Sequence, residues 1–467
     1  MFELARLDDA GLLAVMSESL REERIAVARR LVAAGLLTQR RVIDAEHETA
    51  SWCVEDWDLA AAEIGAELGV SRYRASSEMS KGQTLVGRFP TLAEKFLAGD
   101  IEYRVFADID FRTASVKDPD ILGCLDVMLA EQAPGWNKLS HKKLVQVIDW
   151  LVSTLDPEAL RIARDRDEDR HIGIGPKQSG MAEVWGRLRA ADGAALDKRL
   201  EALAAAVCRE DPRTKAQRRA DALMALSEGA TTLACACGSP DCPAAETDAA
   251  PSQVVIHVLA EQATVTAEGA TPGYVPGYGP IAAESVRELA TKATMRPLTI
   301  PKQSPPEPRY RPSAALAEFV RVRDLTCRWV NCDVPAEFCD IDHTIPWPYG
   351  PTHPSNTKLY CRHHHLLKTF YFGPGGWVET QLPDGTMTFR SPAGRIYTTK
   401  PGGSLFFPQL TTPTGTLHLP EGLPPPSAFK TLKMPMRART RAAGRAARVE
   451  WERGLNRARL LADPPPF

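Results

Sequence analysis

The sequence predicts an α+β chain in which a mostly helical N-terminal domain with a little sheet is joined by a Pro-rich linker to a small module stapled by metal. Three observations predict it. Apolar residues recur every three or four positions through most of the first 226 residues, proline and small residues crowd the stretch up to Pro312, and cysteines and histidines concentrate just beyond it. At 467 residues the chain exceeds what one hydrophobic core usually organises, and 44% hydrophobic content suffices for more than one core.

The helical part is read from spacings such as Leu12, Val15, Met16, Leu20 and then Val27, Leu31. Thr91 with Glu94 three residues later reads as a capping box, and Asp156-Pro157-Glu158 puts proline at a first helical position. Residues 171–190, with Gly180 near the middle, read as a hairpin, and residues 254–259 as a further strand. Ile64 to Ala75 has the cadence of a helix-turn-helix, with Gly69 at the turn and Ser71 capping the second helix. That would set Arg72 and Arg74 at a DNA-facing end; a plain helical hairpin closed by glycine gives the same pattern.

The boundaries expected from composition are 1–230 for the helical domain, 231–312 for a Cys-containing strand region and linker, 313–400 for the metal module with a following hairpin, and 401–467 for a Pro-rich and basic tail. Ser304-Pro305-Pro306-Glu307-Pro308 closes the linker. Ser313 caps a short helix running to Arg321, and residues 377–382 and 386–390 flank the turn Pro383-Asp384-Gly385 as an antiparallel hairpin. Residues 430–459 hold ten basic and two acidic side chains, an Ala/Arg-rich helix that reads equally as a phosphate-contacting arm or a solvated tail.

No run of about 18 uncharged apolar residues occurs and residues 1–9 lack the pattern of a secretory signal, so a cytoplasmic protein with no membrane partner is expected. The net charge of −2 conceals an asymmetry: residues 1–301 hold 35 basic and 46 acidic side chains, residues 302–467 hold 22 and 13. A basic segment that carries a metal-site pattern points to a polyanionic partner.

The ten cysteines are read by spacing, because a reducing compartment favours metal binding over disulfides where they cluster. Cys53, Cys124 and Cys208 stand alone and read as buried thiols. Cys235, Cys237 and Cys242 would make three of four ligands, with no fourth evident in the sequence; a flexible loop of small residues is the alternative. Cys327 and Cys332, with Cys361 and His364, form two close pairs of soft and borderline ligands that suit tetrahedral Zn²⁺. Cys339, alternating with Ile341 along a strand, is left as a buried thiol.

Between those pairs lie Asp340-Ile341-Asp342-His343, Pro346 and Asn356, and the second pair is embedded in Cys361-Arg362-His363-His364-His365. This succession resembles an HNH nuclease of the ββα-metal type. The resemblance implies His343 as general base, Asp342 and His365 as ligands of a catalytic metal, and Asn356 as the residue fixing the loop or assisting at the metal. The residues support these roles by their own chemistry, since phosphodiester hydrolysis needs a base near neutral pH and a cation with open positions. Mg²⁺ is the expected cation, with Mn²⁺, Co²⁺ or Ni²⁺ admitted by the imidazole. Lys368 and His353 are candidate phosphate contacts and His363 a bystander. Strict alternation would aim Asp342 and His343 at opposite faces, so the strand must end or bend there.

Residues 211–221 (Asp-Pro-Arg-Thr-Lys-Ala-Gln-Arg-Arg-Ala-Asp), 276–280 (Pro-Gly-Tyr-Gly-Pro) and 339–347 (Cys-Asp-Ile-Asp-His-Thr-Ile-Pro-Trp) resemble the bacterial 13E12 repeat family. That resemblance implies an N-terminal domain of unknown function ahead of an HNH module, and an endonuclease acting on double-stranded DNA is the expected activity. Two rivals remain: a noncatalytic nucleic-acid-binding protein in which zinc only scaffolds the fold, and a toxin-like nuclease restrained by its acidic half.

Overall fold

A computed structural model describes residues 4–44, 49–161, 170–177, 180–245, 256–291, 293–373, 375–417 and 434–462. The chain divides into two compact units, one of residues 1–163 with 298–467, the other of residues 164–297.

The first unit begins with α1 (Asp9–Thr38), whose exposed start carries the Asp8 cap and whose second half buries Ala28, Leu31 and Ala34. Helices α2 (Asp56–Leu68) and α3 (Arg72–Gln83) turn at Gly69, whose φ of 66° is the left-handed conformation glycine tolerates, and Ser71 accepts from the amide of Arg74. The helix-turn-helix cadence is thus a real pair of helices; Arg72 faces Asp58 and His363, while Arg74 is exposed and pairs with Glu78 on the same helix. Then follow α4 (Pro90–Leu97), α5 (Tyr103–Arg112), α6 (Pro119–Gln132) and α7 (His141–Leu155), closed around Phe89, Phe96, Phe106, Leu125, Leu129 and Ile148.

The capping box expected at Thr91 is corrected. The N-cap position is Phe89, and the amides of Thr91 and Leu92 donate to the buried carboxylate of Asp126 on α6, each at 2.9 Å. A distant charged acceptor replaces the local one. Similarly, Pro157 opens only a three-residue 3₁₀ turn, Pro157–Ala159.

The second unit holds the expected hairpin, β1 (His171–Lys177) with β2 (Met181–Arg187), then α8 (Ala190–Ala205) and α9 (Lys215–Ser227) over a small core of Leu203, Val207, Ala222 and Leu233. Next come α10 (Gln262–Val265), the short pair β3 (Gly273–Val275) and β4 (Gly279–Ile281), and α11 (Ala283–Ala290). Of the strand expected over residues 254–259, residues 254 and 255 lie outside the described set. Leu259 makes a single antiparallel bridge to Tyr274.

The chain then rejoins the first unit. Ser313 caps α12 (Ala314–Asp324) as expected, three residues longer than the sequence indicated. Strands β5 (Cys339–His343) and β6 (Thr357–Cys361) pair antiparallel and lead into α13 (Arg362–Tyr371). The expected hairpin of β7 (Val378–Gln381) and β8 (Met387–Arg390) gains a third strand, β9 (Ile396–Thr399). Last is α14 (Arg441–Ala462); Lys430 and Lys433 of the basic run lie outside the described residues.

The basic tail is neither a free arm nor a merely solvated helix. Arg437 and Arg441 pair with Glu55 and Asp58, Arg453 with Asp156, and Arg457 with Glu158. Among the described residues no helix is long and apolar enough to cross a membrane.

Asp126→Ala is expected to destabilise this unit by about 2 kcal/mol, since it strips two amides at the start of α4 of their buried carboxylate acceptor. Thr91→Ala, at an exposed position, should change stability by under about 0.5 kcal/mol. Chemical denaturation of the two variants checks the pair, and a larger cost at Thr91 would restore the local cap.

Candidate functional site

Cys327, Cys332, Cys361 and His364 converge: their ligand atoms all lie within 4.8 Å of one another. His364 Nδ1 is 3.4 Å from Cys327 Sγ and 3.3 Å from Cys361 Sγ. A tetrahedral zinc with bonds of about 2.3 Å to sulfur and about 2.0 Å to nitrogen sets such sulfur–nitrogen edges near 3.5 Å. The local sequence builds this geometry. Asn331 adopts φ of 55°, closing the loop between Cys327 and Cys332, and Cys361 ends β6 where α13 begins, so that His364 lies one turn along. Trp329 stacks on His364 at 5.0 Å between ring centres and packs against Trp377 and Phe389. Hydrogen bonds from the neighbouring thiols and His364 hold the Cys361 thiol far below its usual range, while burial pushes Cys327 up. The donor set as folded therefore favours one thiolate, and a bound dication would draw the remaining protons off. Four such ligands are compatible with a structural metal ion such as zinc.

Beside this cluster runs a buried ionic network. Lys358, fully buried on β6, reaches Asp342 Oδ2 and Glu379 Oε1 at 2.9 Å each; Lys368 on α13 reaches the same atoms at 2.5 and 2.7 Å. Two cations against two carboxylates leave the group neutral, which is the condition under which buried charge is tolerated. Burial alone would raise the Asp342 carboxyl, but Lys358 and Lys368 hold it well below the usual carboxylate range. Lys368 also donates to the carbonyls of His343 and Thr344. Expected as a phosphate contact, it is instead buried and engaged with four oxygens.

The lysines occupy Oδ2 of Asp342 and leave Oδ1 facing His365 Nε2 at 3.6 Å. His365 Nδ1 lies 2.8 Å from Asp340 Oδ2, so Asp340 fixes the ring with Nε2 turned toward Asp342. Asp340 and Asp342 alternate on one face of β5, and this edge is the more open side: His365 is 24% exposed and Asp340 50%. The 3.6 Å separation is one that a single first-row cation bonded at about 2.1 Å to each atom can bridge.

His343 is the last residue of β5, and the amide of Thr344 donates to the carbonyl of Asn356 at 2.8 Å. Its Nε2 lies 2.8 Å from Thr352 Oγ1, and that hydroxyl donates to the carbonyl of Arg309 at 2.6 Å. With its proton so used, Thr352 accepts from Nε2–H, and Nδ1 of His343 keeps its lone pair. Burial, opposed in part by Asp342, lowers the His343 pKa, so the ring is neutral. Tyr310 stacks on it at 5.3 Å.

Asn356 is buried and fixes the loop on both sides: it accepts from the amide of Ile345 at 2.8 Å and donates to the carbonyls of Ile345 and Pro351. His353, considered for phosphate, is buried between Ser304 and Ser355. His363 is held near 3 by burial, with His364 and Arg72 beside it, and it accepts from Arg72 at 3.0 Å. Sequence reasoning missed Asp340, Thr352 and Glu379 as partners. For Asp340 the signal was present in the Asp-x-Asp alternation; Thr352 and Glu379 arrive from separate segments and leave no local mark.

The lone-thiol reading needs two corrections. Cys124 is exposed on α6, and Cys208 joins Cys235, Cys237 and Cys242 in a second cluster whose sulfur atoms lie within 4.8 Å of one another. The fourth ligand lies 27 residues upstream, too far for a spacing motif.

Residues 18–324 match the family described as Domain of unknown function (DUF222). Two proteins of Mycobacterium tuberculosis strain H37Rv are similar over nearly the full length. "Uncharacterized protein Rv2100" is 44% identical over 513 residues, covering 100% of this chain and 91% of its own. "Uncharacterized protein Rv3776" is 46% identical over 480 residues, covering 97% and 91%. No solved structure matches the chain.

Cys361→Ser should lose one equivalent of bound zinc per chain and lower the thermal midpoint. Cys339→Ser should keep the metal, although Cys339 sits directly opposite Cys361 across the hairpin. Elemental analysis of both proteins checks this, and the reverse pattern would redraw the ligand set.

Proposed function

This chain belongs to the DUF222 family, and from that premise we propose that the segment following the family match is a ββα-metal HNH module, making the protein a metal-dependent endonuclease that hydrolyses phosphodiester bonds of DNA. One observation carries the proposal. At the end of one strand, Asp342 Oδ1 and a His365 ring oriented by Asp340 face each other at 3.6 Å, and the next residue is a neutral His343 with Nδ1 available.

In this reading His343 Nδ1 takes the proton from the attacking water, while Thr352 holds the opposite edge of the ring. Asp342 and His365 would hold Mg²⁺, or Mn²⁺, Co²⁺ or Ni²⁺ in its place. A divalent cation there supplies stabilisation for charge on the phosphate and on the departing oxygen. Lys358 and Lys368 fix Asp342 through one oxygen and keep the other turned to His365. Asn356 keeps the loop after His343 closed, and Lys368 steadies the same strand end through the carbonyls of His343 and Thr344. The cluster at Cys327, Cys332, Cys361 and His364 is structural zinc. Arg439, Arg445 and Arg448, exposed and without an ion pair among the described residues, are where the basic tail can still meet phosphate.

The restrained-nuclease reading has its own support, since α13 and the helical part are clasped by Arg72 with His363 and by Tyr371 donating to the carbonyl of Val54 at 2.8 Å. Deleting the N-terminal half is a poor test of it, because residues 1–163 share a unit with the module.

With supercoiled plasmid and Mg²⁺ or Mn²⁺, the parent is expected to nick DNA. His343→Ala should lose roughly a hundredfold or more of that activity with its zinc intact. Absent cleavage with DNA binding retained would support the noncatalytic alternative. In the same assay, Arg72→Ala with Tyr371→Phe should raise the nicking rate if restraint operates, and an unchanged rate ends that idea.

A further inference from the structure

We propose that Cys208, Cys235, Cys237 and Cys242 form a second structural zinc site, a tetrathiolate that holds together the unit of residues 164–297. It is built from other residues than the site above and does not depend on any nuclease activity.

The four sulfur atoms lie within 4.8 Å of one another, with Cys208 and Cys235 3.4 Å apart. A disulfide would require about 2.05 Å, whereas a tetrahedral Zn–S₄ site sets its sulfur–sulfur edges near 3.8 Å. The arrangement is built by the chain rather than by a loop of small residues lying loose. Gly238, with φ of 74°, turns the chain after Cys237, and the amide of Cys242 donates to the carbonyl of Ser239 at 3.2 Å. That turn folds Cys242 back toward Cys235 and Cys237.

A polar clamp brings in Cys208. The Asp211 side chain is fully buried; it accepts from the amide of Ala236 at 2.9 Å and from Arg213 at 2.7 Å, and Arg213 donates to the carbonyl of Ala234 at 2.7 Å. Both residues flanking Cys235 are thereby tied to the turn that follows Cys208. Soft sulfur on all four corners selects zinc over harder cations.

The surrounding unit gives the metal a task. Among the described residues, the hydrophobic cluster beside this site has four buried members, Leu203, Val207, Ala222 and Leu233, with Cys235 packed at the edge. A core of that size rarely suffices for a small fold, and a structural metal is a common remedy. Because the unfolded chain has no preformed site, the binding energy becomes folding energy.

The test uses the full-length protein prepared under reducing conditions. Elemental analysis should find two zinc equivalents per chain, falling to one in Cys237→Ser/Cys242→Ser. The cobalt-substituted parent should show thiolate-to-cobalt absorption with the intensity of seven cysteine ligands, which reads the site even if that variant fails to fold. A folded parent holding one zinc, cobalt absorption accounted for by three thiolates, two equivalents unchanged in the double variant, or a Cys208–Cys235 disulfide by mass spectrometry would each overturn the proposal.

Discussion

Everything proposed for the chemistry depends on one constraint, the convergence of Cys327, Cys332, Cys361 and His364 on a common point. Strands β5 and β6 have five residues each, and a lone two-stranded hairpin of that size is marginal in water. The cluster joins the loop after α12 to the junction of β6 and α13. In doing so it fixes the helix that carries His365 and Lys368 against the strand that carries Asp340, Asp342 and His343. A structural zinc contributes on the order of 10 kcal/mol in small metal-folded domains, and one held here would exceed what a hairpin of this length can supply from packing. Trp329, Trp377 and Phe389 pack together beside the cluster.

Next to the cluster, charge is handled by pairing. Asp342 would be a poor ligand if both oxygens were taken by lysines; instead Glu379 shares Lys358 and Lys368, so that only Oδ2 is engaged. The Arg323 and Asp324 pair does similar work behind the hairpin. Arg323 donates to the carbonyls of Pro354 and Thr357, and Asp324 accepts from the amide of Leu359, which locks α12 to β6. Removing one member of such a pair leaves its partner buried and unpaired, which costs more than the intact pair contributes.

The parts legible in the sequence were those with a local signature. Ser313 and Ser71 as caps, Gly69 as a turn, the hairpins at Gly180 and Gly385, and the two ligand pairs at short spacing all follow from nearby residues. What was not legible came from long-range pairing. Asp126 caps a helix 35 residues away, Cys208 completes a cluster from 27 residues upstream, and Glu379 enters the ionic network from a later strand. The charge asymmetry was read correctly as composition, yet much of its meaning is internal. Arg437, Arg441, Arg453 and Arg457 meet Glu55, Asp58, Asp156 and Glu158 within one unit, so the excess available to a polyanion is smaller than the segment's net charge implies.

The proposed chemistry requires Asp342 and His365 to bind a divalent cation beside His343. Crystals of the zinc-loaded protein soaked in Mn²⁺ and measured at the manganese edge test it most directly. An anomalous peak bonded to Asp342 Oδ1 and His365 Nε2, absent in His365→Ala crystals, is expected; a peak bonded elsewhere, or none at saturating Mn²⁺, would rule out this cation site.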